Sequence, residues 1–92
     1  MLLEIVTPEA ILLNSEVVSV AVPGINGQFQ MLNNHAPIVS LLVSGSVKFK
    51  GGSIKIEEGF QDKFTKVDGE YVFPINGGTI EMKENKVIIL AD

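Results

Sequence analysis

The sequence predicts an all-β fold, a single β-sandwich of about ten short strands spanning residues 1–92, and three observations carry that prediction. Apolar and polar side chains alternate with period two through most of the chain. Nine glycines and four prolines fall mostly between the alternating runs, with turn signals every ~8–12 residues, as short strands joined by tight turns require. No stretch sustains a 3.6-residue period, and the apolar run at 38–43 is too short to make a good helix.

Taken in order, Val18, Val20 and Val22 share one face of a strand, with Val17, Ser19 and Ala21 on the other. Gly24-Ile25-Asn26-Gly27 reads as a glycine turn between two strands, with Gly27 at positive φ or a close backbone approach. Phe29 and Met31 beyond it read as core. Val47 and Phe49 oppose Lys48 and Lys50, and past Gly51-Gly52, Ile54 and Ile56 oppose Lys55 and Glu57. That is the pattern of two half-buried strands in a two-residue hairpin. Tyr71, Phe73 and Ile75 alternate after an Asp68-Gly69 turn. Asn76-Gly77-Gly78 turns the chain into 79–82, and a polar KENK at 83–86 leads into a last strand at 87–90.

Composition narrows the function classes. A 46% hydrophobic and 20% charged chain is globular rather than disordered. Net charge is −4 and all seven basic residues are lysine, so nucleic acid, which selects clustered positive charge, is not an expected partner. No apolar run reaches the ~18 residues of a membrane span. The opening MLLEIVTPE lacks the basic start of a signal peptide. The absence of cysteine removes disulfides and thiol metal sites and suits a reducing, cytosolic address.

Catalysis needs converging polar groups, and the sequence offers few. His35 is the one histidine, which excludes two-histidine metal sites and facial triads. A serine triad would have to use His35, and no serine lies in a nucleophile elbow. The Gly24–Gly27 turn lacks the GK[ST] ending by which a phosphate loop reaches phosphate and magnesium. Glu57-Glu58 reads as a solvated edge. The expectation is no catalytic residue, no metal, no nucleotide and no cofactor. His35 precedes Ala36-Pro37, where proline favours extended backbone; it either holds a loop by hydrogen bonding or touches a partner.

One compositional feature does point to function. Residues 17–47 contain no Asp, Glu, Lys or Arg, where a uniform distribution would place about six charges. Charge depletion marks the centre of protein interfaces. The competing account is that this segment supplies central strands covered on both faces.

Three stretches then resemble a known family: LEIVTPE at 3–9, VPGINGQFQMLNNHAPIVSLLVSGSVKF at 22–49 and NGGTIEMKENKVIILAD at 76–92. They are similar to the epsilon subunit of F-type ATP synthases, whose pattern runs VPG-x-x-G-x-F-G-I-L, then P-G-H-A-P, then S-G-G-F-x-E-V and V-L-A-D. Val22-Pro23-Gly24, Gly27, Phe29, Leu32, His35-Ala36-Pro37, Gly77-Gly78, Glu81 and Leu90-Ala91-Asp92 carry the match.

The resemblance implies the ten-stranded amino-terminal β-sandwich of a non-catalytic central-stalk subunit. Such a subunit links gamma to the c-ring and couples proton translocation to ATP synthesis on alpha/beta sites that it meets only indirectly. It also implies one copy within a hetero-oligomer, peripheral at the cytoplasmic face of a bacterial inner membrane through the c-ring. By position, Gly24, Ile25, Asn26, Gly27, Gln28, Phe29 and Gln30 face the c-ring. His35, Ala36, Pro37, Leu41 and Leu42 face gamma.

The sequence departs from the pattern in five places. Gln28 replaces the family's acidic residue, and Gln30 its glycine after phenylalanine. Asn33-Asn34 replaces Pro-Gly, and asparagine tolerates the left-handed backbone such a turn uses. Residues 50–75 are longer than usual, which predicts lengthened strands or an extra hairpin. Most members continue into a two-helix hairpin, and the stop at Asp92 reads as a short form without it. The alternatives are a stand-alone β-sandwich module that binds protein or ligand, and, last, a small hydrolase using His35.

Overall fold

The alternation seen in the sequence becomes ten strands and one short helix in the computed structural model, which describes residues 1–92. The strands are β1 (Leu2–Val6), β2 (Ile11–Glu16), β3 (Ser19–Gly24), β4 (Gly27–Leu32), β5 (Ile38–Leu42), β6 (Gly45–Lys50), β7 (Thr65–Val67), β8 (Glu70–Ile75), β9 (Gly78–Lys83) and β10 (Lys86–Ala91). A 3₁₀ helix spans Glu58–Lys63.

The strands run in the order β2-β1-β10-β9-β5-β3-β6-β8-β7, with β4 on the other side of β3. A single residue pair, Gly24 with Leu42, joins β3 to β5. The path bends there into two five-stranded halves, β2-β1-β10-β9-β5 and β4-β3-β6-β8-β7. Pro23 marks the bend. It lies past Ala21, the last β3 residue paired with β6, and just before the contact with β5. A residue without an N–H therefore falls where β3 changes neighbours and loses little by it. The Pro23 carbonyl accepts from the Val43 N–H at 2.9 Å, which fixes the corner.

Twenty buried residues form one core between the halves. Leu3, Ile5, Ile80, Met82, Val87 and Ile89 come from one side, and Val20, Val22, Met31, Val47, Phe49 and Phe73 from the other. Each such side chain contributes roughly 1.5–3 kcal/mol by leaving water. In β2 the period-two rule is interrupted: Ile5 pairs with Leu13 but Val6 with Ile11. Leu12 is the extra residue of a bulge, so consecutive leucines are both buried. The Asp68-Gly69 turn forms as predicted, with φ of 50° and 80°, and within the polar stretch at 83–86 Glu84 and Asn85 take 52° and 60°, the positive values that tight hairpins require. Asn34 is likewise left-handed at 62°.

Two expectations fail. Residues 54–57 form no strand after Gly51-Gly52. Both edges of β6 are already occupied, by β3 and by β8, so no ladder is open to a returning hairpin. Instead Ile54 and Ile56 pack against the core, and the Lys55 N–H donates to the Ser15 hydroxyl at 3.1 Å. The 3₁₀ helix follows and delivers Phe64 onto Phe49 and Phe73, at ring separations of 5.8 and 5.2 Å. The hairpin within 50–75 is β7–β8. The second failure is Val18, expected beside Val20 and Val22 but 52% exposed. Its N–H bonds to Lys50 and that of Val17 to Met1, so the chain turns between β2 and β3 before the regular strand begins at Ser19.

Candidate functional site

The β3–β4 hairpin tip is built by two glycines with different duties. Gly24 and Gly27 pair across the turn, and only Gly27, at φ +115°, has positive φ. Nothing lies within 4 Å of where its Cβ would be, so backbone conformation, not crowding, requires glycine there. At Gly24 the reverse holds: a Cβ would stand 2.8 Å from Phe29 Cε1. The half-buried Phe29 ring closes over Gly24, and Met31 beyond it is fully buried. Ile25 at the tip is 64% exposed, and Asn26, Gln28 and Gln30 are exposed around it.

The tip does not stand alone. Register across one half of the sandwich places Leu41 opposite Thr79, Thr79 opposite Leu90, Leu90 opposite Val6 and Val6 opposite Ile11. Leu41, Leu90 and Ile11 of this row are all exposed large hydrophobics. At its Leu41 end the row meets Val43 and Ile25 in an open groove of about 710 Å³, floored by Leu42 and Gly78, where Asp92 brings the only charged side chain.

The charge-free stretch is not wholly made of strands covered on both faces. More than half of residues 17–47 are exposed. They include Val18, Ile25, Leu32, Val39, Leu41 and Val43, most of the exposed large hydrophobics of the chain. The segment is surface as well as core.

The predicted site residues separate into two groups. Gly24–Gly27 lies beside the end of β5, through the Gly24–Leu42 pair, and the structure brings Ile25 together with Leu41. His35, Ala36 and Pro37 are exposed at the start of β5, about 15 Å away along a five-residue strand. There the His35 N–H donates to the Leu32 carbonyl at 3.2 Å. Its Nδ1 lies 2.7 Å from the Ala36 carbonyl, which can only accept, so Nδ1 carries the proton. The Asn34 N–H donates to Asn85 Oδ1 at 2.8 Å. The His35 ring thus bonds within its own loop, to the residue that follows it. Leu42 is 5% exposed and turned into the core, which removes it as a contact in the free chain and leaves Leu41 to face outward. No group of three or more His, Cys, Asp or Glu side chains converges.

Val6, Thr79 and Leu90 were not legible as site residues. The one signal was their place as outward members of alternating strands, since Leu90 follows the inward Val87 and Ile89 out of step. Only the register shows that they line up with Leu41.

A family model described as the ATP synthase delta/epsilon chain β-sandwich domain matches residues 1–92. The ATP synthase epsilon chain of Campylobacter concisus is 46% identical over 90 residues, covering 98% of this chain and 59% of that one. That of Chlorobium limicola is 38% identical, covering 98% and 86%. The chain thus spans about six-tenths of the first relative and most of the second. Among solved structures, the central stalk and c-ring of the Tetrahymena thermophila mitochondrial ATP synthase matches with a TM-score of 0.74 and 18% identity, over 99% of this chain and 62% of that one. The Euglena gracilis mitochondrial ATP synthase gives 0.73 and 19%, over 97% and 48%. At those identities the likeness speaks for the fold.

Proposed function

The chain belongs to the β-sandwich family of ATP synthase delta/epsilon chains, and from that premise we propose that it is a non-catalytic rotor element. In this reading it links gamma to the c-ring, so that ring rotation driven by proton flow reaches catalytic sites on other subunits. It rests at the cytoplasmic face of a bacterial membrane through the c-ring, as one copy among unlike partners.

The observation that carries the proposal is the gathering of Ile25, Leu41 and Val43 on one groove inside a stretch without charge. A rotor clamp needs one side dry and one side wet. The hairpin tip with Ile25 and Gln28 is the part turned to the c-ring, and Leu41 with the loop of His35, Ala36 and Pro37 the part turned to gamma. The fold suits the load: a sandwich whose strands are locked in ladders and one packed core deforms little under torque.

The test is co-purification with gamma and the c-ring of the same organism, followed by ATP-driven proton pumping in vesicles. Leu41→Asp is expected to weaken retention of gamma while the isolated domain melts almost unchanged, because the side chain is already 60% exposed. Full retention and full pumping with Leu41→Asp would overturn the assignment of that face. Failure of the unaltered chain to bind gamma at all would favour a stand-alone binding module.

A further inference from the structure

Backbone pairing joins the two halves of the sandwich on one side only. The Gly24–Leu42 pair closes the β3–β5 corner, whereas β2 and β7, at the two ends of the strand path, do not pair with each other. Residues 51–63 span this far flank. Ile56 lines one cleft with Leu12 and Leu13 of β2, and another with Phe64 and with Tyr71 of β8. Phe60 lines a third with Leu12 of β2 and Phe73 of β8. The segment thus reaches both halves, and its Ile54, Ile56 and Phe60 pack against the core.

Little holds it there. None of residues 51–63 is fully buried. One hydrogen bond ties the segment across to the rest of the fold, from the Lys55 N–H to the Ser15 hydroxyl at 3.1 Å. Outside the 3₁₀ helix its remaining bonds are local. The Phe60 N–H donates to the Glu57 carbonyl, the Gln61 side-chain amide to the Ile56 carbonyl, and the Phe64 N–H to the Gln61 carbonyl. Its start is fitted closely rather than bonded: a Cβ on Gly51 would stand 3.1 Å from Val17 Cα and 3.2 Å from the Glu16 carbonyl oxygen. The strands beneath are held differently, since β6 pairs along both edges and β1 lies between β2 and β10. Few tertiary bonds and little burial are the marks of a unit that opens at a lower free energy than the whole.

We propose that residues 51–63 are a clasp that opens as one unit while the rest of the sandwich stays folded. Ser15 is its latch. Opening lifts Ile54, Ile56 and Phe60 off the core together, and it uncovers the flank between Leu12 and Leu13 on one side and Phe64 and Phe73 on the other. The opened segment is also where proteolysis enters the native chain, because a protease needs extended, unlatched backbone and the ladders supply none. The proposal is independent of the rotor reading, since it concerns only contacts within the chain.

Native-state amide exchange on the free chain tests it. The Lys55, Phe60 and Phe64 amides should exchange through one common opening, about tenfold or more faster than the slowest amides of β3 and β6. Ser15→Ala removes the acceptor of Lys55 alone, so Phe60 and Phe64, whose own bonds it leaves intact, are the informative pair. If the clasp is one unit, both speed up by the same factor, about tenfold, and the first tryptic cut, after Lys55 or Lys63, accelerates with them. Acceleration confined to Lys55 would mean local fraying and overturn the proposal. Exchange of Phe60 and Phe64 only at the rate of the slowest strand amides would overturn it too, as would a first cut outside the segment. Should Ser15→Ala not fold, the unaltered chain decides. Its three amides must then share one denaturant slope, smaller than that of global unfolding, and three unlike slopes overturn the unit.

Discussion

The ring of Phe29 lies over the α-carbon of Gly24, close enough that a Cβ on Gly24 would sit 2.8 Å from Phe29 Cε1 and 3.0 Å from the Gly27 carbonyl. Sterics alone therefore hold glycine at the corner where β3 leaves β6 for β5. Gly24→Ala is expected to cost about 1–2 kcal/mol in urea denaturation, because the half-buried ring must shift. Phe29→Leu in the same chain should recover part of that loss. Strict additivity of the two changes would show that ring and glycine do not compete for space.

Gly27 tests the opposite cause. Its φ of +115° is one that β-branched residues avoid, and its Cβ would meet nothing. Gly27→Val should cost about 1–3 kcal/mol by backbone strain, and Phe29→Leu should not relieve it. Unchanged stability would place the requirement for glycine in assembly rather than folding.

The Ser15 hydroxyl, in a side chain only 4% exposed, accepts from the Lys55 N–H at 3.1 Å and pins the irregular segment between β6 and the 3₁₀ helix. Ser15→Ala should cost about 1–2 kcal/mol by leaving that N–H unpartnered. It should also speed exchange of the Lys55 amide well before global unfolding. An amide that stays as protected as before would mean that Ile54 and Ile56 alone fix the segment.

Charge placed on the dry side should act on assembly and not on folding. Gln28→Lys puts a cation on an exposed tip that must lose water on docking. Reduced co-purification with gamma and c-ring and reduced proton pumping are expected, with little change in melting temperature. Lys55→Glu, on the charged side, should matter less. Equal effects from both variants would count against an interface at the tip.

Much of this molecule was legible in the chain because the relevant physics is local. Alternation at 71–75 and 87–90, the turn at Asp68-Gly69 and glycine at 27 each depend on a few neighbouring residues. The absence of charge across 17–47 is likewise a local count, and it singled out the segment, while Ile25 and Leu41 within it came from the family resemblance. Other outcomes depended on which ladders were free. Residues 54–57 have the same alternation as the true strands but found both edges of β6 taken. Val18 follows the alternation of Val20 and Val22 yet turns to solvent, because a chain reversal intervenes, while Leu42 keeps the inward phase of Ile38 and Ser40 and so lies in the core, against the outward role that the resemblance implied. The row from Ile11 to Leu41 exists only through the register of five strands distant in sequence. Period and turn chemistry are properties of a segment, whereas a shared surface is a property of pairing, and pairing is settled only when every strand competes for the same edges.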